Sequence, residues 1–497
     1  MSYDAVIIGS GFGGAFTALT LVEAGLRVVM LERGQPVARD EGDWDPRQIL
    51  LNARYAGPSP LQVRQYGATE PTPLFSMQML GGNSVLYGGA SLRLRTTDLQ
   101  RWPIEYEHLE PHYGRAEQLL GVHGSAGEDP HEPPRSTPYP AVLPELTAPA
   151  QRIHAAAGRL GWRPFRLPMA INFTDSLRPK CELCNTCDGF PCRIEAKNDL
   201  ATTVLRRALR AGLEIQTGAV VGEIEVTDSR ARAISGVDAA SGEAFRIEAD
   251  RVIVAAGALH TPALLLRSGI DQLSPGGDWI GRRLMRHCNA VLTGVFPFVT
   301  NREQVFHKQL CLTDFYEDLR EELGTAVGTI QDIYTPSSEV ISHFAPRGLK
   351  KAASGLSRFM QNLLIIAEDD PRPENRVTLT DEVDTFGHTV PRVDHQYSSA
   401  DLRRRDHLVD RARRVLRRAG AWMTRLYEID SFSHGVGTMA MAETPSDGAL
   451  DPMCKVWGVD GLWVVDGSVF PTSAGVNPSL TIGANALRVA PAIATGG

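Results

Sequence analysis

Short runs that are apolar at every position alternate along the chain with stretches whose apolar residues recur at helical spacing. Asp4-Ala-Val-Ile-Ile-Gly9 is a run of the first kind, as in a strand buried on both faces. Ala15, Ala18, Leu19, Leu21 and Val22 then trace one helix face, which stops at Gly25. Arg27-Val-Val-Met-Leu-Glu32 is the next apolar run. Strand, turn, helix and strand in this order open a parallel, doubly wound sheet. Helices are predicted at 147–160 and 197–211, with a strand at 213–217. Residues 219–254 alternate like small antiparallel hairpins and lead into the buried run Arg251-Val-Ile-Val-Ala-Ala-Gly257. From 289 to 398 short strands dominate, at Val291–Phe298, Val327–Ile333, Leu363–Ala367 and Arg376–Leu379. They predict an antiparallel sheet in a second domain. Residues 399–419 form a basic amphipathic helix whose arginines read as a solvated face. Residues 34–75 are polar, proline-bearing and weakly periodic, and are expected to form a long loop or lid. The fold class is therefore α/β, α+β overall, with a Rossmann-like domain beside a mainly antiparallel one.

Composition narrows the function. The net charge is −7, from 51 basic and 58 acidic residues, and no basic stripe of the kind that binds nucleic acid is present. No apolar run reaches bilayer-spanning length. The opening lacks a basic start, an apolar stretch and a small-residue cleavage site, so a cytoplasmic location is expected. Seven cysteines in 497 residues do not make a disulfide scaffold.

The first turn carries Gly9-Ser-Gly11-Phe-Gly-Gly14. Gly9 permits the tight turn, Gly11 lets a pyrophosphate approach the backbone, and Gly14 lets helix and strand pack closely. The pattern alone is weak. Here it follows a strand, opens a helix, and is completed by Glu32 at the end of the next strand, placed to hold a ribose hydroxyl pair. An acid there disfavours a 2′-phosphate and points to FAD or NAD. The late strand ending in Ala255-Ala256-Gly257 favours a flavoprotein. Leu462-Trp-Val-Val-Asp466-Gly467 is a further return to the sheet, with Asp466 as a ribityl or phosphate-side partner or as a helix cap.

Chemistry concentrates near the end of the chain, in His434-Gly-Val-Gly-Thr438 and Asn477-Pro478-Ser479-Leu480-Thr481. A lone histidine and a lone asparagine in such loop-like settings look like a redox-enzyme active site. Histidine suits proton transfer, because small shifts move its pKa across neutrality. Asparagine can donate to an oxygen on which charge develops. His434 is thus the candidate base and Asn477 the candidate donor. His260, His287, His307, His388 and His395 lack this context and read as structural or surface residues.

Together these segments resemble the glucose–methanol–choline oxidoreductases, FAD-dependent alcohol oxidases and dehydrogenases. The resemblance is carried by the fingerprint, by Gly81-Gly-Asn-Ser-Val-Leu-Tyr87-Gly88-Gly-Ala90, by Ala255-Ala-Gly257-Ala-Leu-His-Thr-Pro262, by Ile280-Gly-Arg-Arg-Leu-Met-Arg-His287, and by the two closing motifs. It implies that Gly9, Gly11, Gly14 and Glu32 hold the ADP half of FAD, with the backbone of Val220 near the adenine. Asn83, Tyr87, Gly88 and Ala90 would line the flavin. Ala256 and Gly257 would complete the nucleotide site, and Asp466, Gly467, Asn477 and Pro478 would close over the ring and ribityl chain. No histidine lies between Gly81 and Ala90, so a histidyl link to FAD through this loop is not expected. The FAD-binding domain is expected at 1–100, 195–288 and 431–497, and the substrate domain at 101–194 and 289–430.

Cys181-x2-Cys184-x2-Cys187-x4-Cys192 is compatible with an iron–sulfur cluster, with zinc, or with local disulfides or packed thiols. Some relatives in the family carry a cluster at such a segment. Low aromatic content, 7%, favours a polar alcohol such as a sugar, glycoside, amino sugar or polyol. Glu368-Asp369-Asp370 reads as a solvated turn or as a cation-attracting patch. The expected partners are this small alcohol and oxygen or another electron acceptor, and a homo-oligomer is compatible with the sequence. A more hydrophobic alcohol such as a sterol, or an electron-transfer flavoprotein subunit, is the alternative.

Overall fold

The computed structural model describes residues 3–65, 70–174, 177–344 and 347–496. Its organising element is a five-stranded parallel sheet in the order Leu462–Val464, Val252–Val254, Ala5–Ile8, Val28–Glu32, Glu214–Thr217. The register sets Ile7 between Ile253 and Met30, so apolar side chains face apolar side chains across three strands. Helix Phe12–Glu23 leaves the central strand and is buried along nearly its whole length, packed by helix Ser479–Thr495. The two ends of the chain thereby build one layer. A three-stranded antiparallel sheet, Ala219–Thr227, Arg230–Asp238 and Ala244–Glu248, lies between two of the parallel strands in sequence.

The second large sheet has six antiparallel strands in the order Met423–Glu428, Ala290–Val295, Met360–Ala367, Gly328–Ile333, Leu310–Leu312, Phe165–Arg166. One face carries Leu292, Leu310, Ile330, Leu363 and Ile365. These residues pack with Leu408, Val409, Ala412, Val415 and Leu416 of helix Ser399–Arg418. The opposite face includes Gln331 and Cys311, directly paired across two strands. That alternation turns one face to the helix and sets Gln331 on the other, beside Leu364. The helix starts where Ser398 and Asp401 cap each other's backbone N–H groups. Its arginines are mostly outward, but Arg404 is buried and paired with Asp370 at 2.9 Å and Asp401 at 3.0 Å.

Two expectations need correction. Residues 34–75 are not structureless: Leu61–Gln65 and Thr72–Leu74 are strands, and Leu61–Gln65 pairs in parallel with Thr389–His395. Positions 66–69 of that expected lid lie outside the described residues. Arg376–Val383 also belongs to this four-stranded sheet rather than to the six-stranded one. Strand Leu61–Gln65 pairs with a segment more than 300 residues on, and Arg376–Val383 pairs only with its neighbour Thr389–His395, so the long-range pairing that joins them in one sheet could not be read from local pattern.

Glu368 and Asp369 form neither a solvated turn nor an exposed cationic trap; both are buried. Asp369 accepts the backbone N–H groups of Arg286 at 2.8 Å and His287 at 3.0 Å. Burial, reinforced by nearby Asp98, pushes the Glu368 carboxyl up to about 8. Such a group binds a proton in the folded state more readily than in the unfolded one. Its contribution to stability is complete below about pH 4.5 and is lost as pH rises towards 8. Glu368→Gln should therefore raise the Tm at pH 8 and leave it nearly unchanged at pH 5. Thermal unfolding at the two pH values checks this.

Candidate active site

The nucleotide end is built by close backbone approach. Gly9 turns out of its strand at φ +104°, and a Cβ there would meet the Ala255 carbonyl oxygen at 2.3 Å. A Cβ on Gly14 would meet the Gly9 carbonyl oxygen at 2.0 Å, so only glycine lets this helix sit so near the strand. At Gly11, the N-cap of helix Phe12–Glu23, and at Gly257 a Cβ would meet nothing within 4 Å. Open space in front of a helix N-terminus is a cradle that fits a pyrophosphate. The Glu32 carboxylate accepts from Ser10 N at 3.0 Å, Ser10 Oγ at 2.5 Å and Gly34 N at 2.7 Å. A carboxylate offers about four acceptor sites, which leaves capacity for a ribose hydroxyl. Val220 is buried in strand Ala219–Thr227.

The late segments are stitched onto this end. Asp466 Oδ2 accepts from Gly257 N at 2.8 Å and Thr261 Oγ1 at 2.5 Å, and its Oδ1 accepts from Ser468 N at 2.8 Å. Its observed partners are thus protein donors, which bind the turn after Ala256 to the turn at Gly467. Thr438 Oγ1 donates to Ala258 O at 2.7 Å, and Gly437 N donates to Gly467 O at 3.1 Å. The loop at 81–90 reaches the fingerprint through Gly81 N, which donates to Ser10 Oγ at 2.8 Å. In that loop Asn83 is exposed, the Tyr87 hydroxyl donates to Asn198 O at 2.9 Å, and Ala90 bridges to Met169. Gly88 is buried.

His434 does not stand alone. Its Nδ1 lies 2.9 Å from Nδ1 of His287. Nε2 of His287 faces the carbonyl oxygens of Ser473 and Ala474, both at 3.0 Å. Carbonyls only accept, so Nε2 of His287 carries the proton and its Nδ1 is the acceptor. His434 Nδ1–H must then be the donor, which leaves the lone pair of His434 on Nε2, the atom turned away from His287. Burial lowers the pKa of both rings, and for His434 the neighbouring His287 and the Lys308 ammonium add to the effect. Both are neutral at pH 7, as this tautomer assignment requires. His287 is held in the left-handed region, φ +59°, by Asp369 on its N–H and by the Tyr397 hydroxyl on its carbonyl at 2.7 Å. Such backbone strain in a non-glycine residue persists only where surrounding contacts over-determine it.

The reading of His287 as a structural or surface residue is therefore incomplete: it is buried, and it orients His434 from 147 positions away. His287→Gln should lower kcat/KM about 10- to 100-fold, the range expected for losing an orienting buried hydrogen bond. Steady-state kinetics on the FAD-loaded variant check this.

Asn477 is buried on the other side of the same loop. Gln331, from the face of the six-stranded sheet turned away from helix Ser399–Arg418, donates through Nε2 to Asn477 Oδ1 at 2.7 Å. With the carbonyl oxygen engaged, the amide N–H2 of Asn477 is left for another acceptor. Pro478 is the N-cap of helix Ser479–Thr495 and fixes the chain's exit from the site.

Cys181, Cys184, Cys187 and Cys192 are all free thiols and line one small cavity of about 20 Å³ together with Trp44, Phe190 and Lys197. Burial pushes the Cys181 thiol up to about 12 and raises Cys187 as well. Among the described residues no group of three or more His, Cys, Asp or Glu is arranged to hold a metal ion. The structure thus supports neither zinc nor an iron–sulfur cluster, and the four cysteines form no disulfide. Among the described residues no helix is long and apolar enough to cross a membrane.

A parallel sheet whose first helix begins at an open cradle, a His287–His434 pair, and a buried asparagine bonded to an antiparallel sheet define a class: FAD-dependent alcohol oxidoreductases. The chain belongs to the GMC oxidoreductases, whose family models match residues 3–289 and 371–486. It is 30% identical to 6'''-hydroxyparomomycin C oxidase of Streptomyces lividus over 99% of this chain and 91% of that protein. It is 28% identical to 2-methyl-1,2-propanediol dehydrogenase of Mycolicibacterium austroafricanum over 98% and 94% of the two chains. The fold is shared with pyridoxine 4-oxidase from Mesorbium loti at a TM-score of 0.68, with 19% identity and 98% of each chain covered.

Proposed function

We propose that this enzyme oxidises a CH–OH group of a polar alcohol, a sugar, glycoside, amino sugar or polyol, to a carbonyl. His434 Nε2 takes the hydroxyl proton, and the Asn477 amide donates to the alcohol oxygen as negative charge gathers there. When bound, FAD supplies the hydride acceptor. It is held without a covalent link by Gly9, Gly11, Gly14 and Glu32, with residues 81–90 and the turns at Gly257 and Gly467 around it.

The observation that carries this reading is the His287–His434 contact, which leaves a neutral imidazole with its lone pair on the outward nitrogen. Two further features support a polar substrate. Gln331 brings a polar amide to the sheet face nearest Asn477, among apolar neighbours such as Leu364. The two relatives named above act on an aminoglycoside and on a diol. The test is anaerobic mixing of the FAD-loaded protein with sugars, amino sugars and polyols. Bleaching of the oxidised flavin band by members of this panel is expected. A flavin reduced by amines or by NAD(P)H, and by no alcohol, would overturn the proposal.

A further inference from the structure

One buried ion pair beside the site is not used by proton or hydride removal. Asp188 stands in the turn Cys187-Asp188-Gly189-Phe190, where Gly189 has φ +83°. This turn is clamped onto the 81–90 loop: Gly189 N donates to Leu86 O at 2.6 Å, and Lys197 Nζ donates to the carbonyls of Tyr87 at 2.9 Å and Phe190 at 2.6 Å. The clamp sets the Asp188 carboxylate directly against Gly88, where an added Cβ would meet Asp188 Oδ1 at 1.8 Å. From the opposite side, just before strand Leu310–Leu312, Lys308 Nζ reaches Asp188 Oδ2 at 2.7 Å. The lysine side chain is 5% exposed and the aspartate 18%. Phe190 and Tyr334 meet edge to face, with ring centres 6.1 Å apart, next to the pair.

The two charged groups are only partly used. Lys308 has three ammonium hydrogens, of which one is committed to Asp188. Asp188 Oδ1 has no hydrogen-bond donor among the described residues. One side of the pair is the loop that holds Gly88. On the other side, Lys308 stands three residues before Cys311, which pairs with Gln331, the hydrogen-bond partner of Asn477. A donor and an acceptor, both charged and adjacent, thus sit between the 81–90 loop and the strands that carry the partner of Asn477.

Resting on the alcohol-oxidation reading above, we propose that Asp188 and Lys308 recognise a second hydroxyl group on the substrate, next to the carbinol that is oxidised. That hydroxyl donates to Asp188 Oδ1 and accepts from Lys308 Nζ. The pair makes the enzyme selective for vicinal diols and their sugar equivalents over monohydric alcohols. Charge-assisted bonds to a fixed acceptor and donor are strong. A site built to hydrogen-bond a hydroxyl penalises an analogue lacking it, because the buried partners are then left unsatisfied.

A matched pair of probes isolates the effect. 2-Methyl-1,2-propanediol and 2-methyl-1-propanol share one oxidisable primary carbinol. The tertiary hydroxyl of the diol has no hydrogen on its carbon and can contribute only recognition. Anaerobic flavin reduction by each probe is measured for the parent protein, Asp188→Asn and Lys308→Met, each with its bound FAD quantified by absorbance. In the parent, the diol should exceed the mono-ol in reduction rate constant over Kd by at least about 10-fold. Each variant should bring that ratio close to one, mainly through weaker diol binding. Because the ratio compares two substrates on one protein, partial loss of fold or of FAD does not move it. Parent-like ratios in both variants, or a parent ratio near one, would overturn the recognition role while leaving alcohol oxidation intact. Reduction of the parent by neither probe nor by any panel alcohol would overturn the underlying reading, and the recognition role with it.

Discussion

Replacing His434 by alanine is expected to slow anaerobic flavin reduction by about 10²- to 10⁴-fold, the range for losing a positioned general base. FAD should stay bound, because the fingerprint, Glu32 and the turns at Gly257 and Gly467 are built from other segments. The cause is specific to one nitrogen. Nε2 of His287 is committed to two carbonyls, so its Nδ1 must accept from His434, and the outward Nε2 of His434 keeps its lone pair. Burial and the neighbouring positive charge lower the pKa of that imidazole below the ordinary histidine value of 6.5. The parent enzyme should therefore show a kcat/KM that is level through neutrality and declines only on the acid side of that value, where His434 becomes protonated. Rapid-mixing absorbance measurements across pH read both effects. A variant that reduces its flavin at the parent rate would remove His434 from the chemistry.

Asn477→Ala should cost about 10²- to 10³-fold in the same step, the magnitude seen when one donor to a developing oxyanion is removed. The loss should fall on the reduction rate constant more than on substrate Kd, because the bond strengthens as the hydroxyl proton leaves. The effect depends on amide orientation. Gln331 Nε2 occupies the Asn477 carbonyl oxygen at 2.7 Å, which leaves the N–H2 group for another acceptor, the role proposed for the alcohol oxygen. Asn477→Asp should be similarly impaired, since an acid presents a second acceptor in place of the donor. A reduction rate constant unchanged in both variants would assign Asn477 to the turn before Pro478 alone.

Much of the framework was legible because it is local. The fingerprint, the strand that ends at Glu32 and the strand that ends at Val254 each announce themselves through apolar runs and through glycines that geometry requires. His434 and Asn477 stand out as candidates because each sits in a glycine- or proline-marked turn. What stayed hidden depends on pairing across long separations. Leu61–Gln65 becomes a strand only through Thr389–His395, and the polar stretch around it gave no alternation strong enough to declare itself. His287 lies in the turn Ile280–His287, but its contact with His434 arises only because the loop at 473–474 and His434 fold against it. Asp188 was masked by the cysteines around it, which drew attention to ligand spacing rather than to the carboxylate. The Cys181–Cys192 segment shows the limit of spacing as a guide. Four close thiols can line a cavity and still not converge on a metal.

The measurement that bears most directly on hydride and proton removal from a single carbinol is the deuterium isotope effect on anaerobic flavin reduction. The most reactive panel alcohol is compared with the same alcohol deuterated at the carbinol carbon, in the parent protein and in His434→Ala. A primary isotope effect in the single-turnover rate constant is the expected result, with reduction in the variant far slower while its FAD content remains that of the parent. Equal rates for the two isotopologues, together with a variant that reduces as fast as the parent, would contradict oxidation at CH–OH with His434 as the proton acceptor.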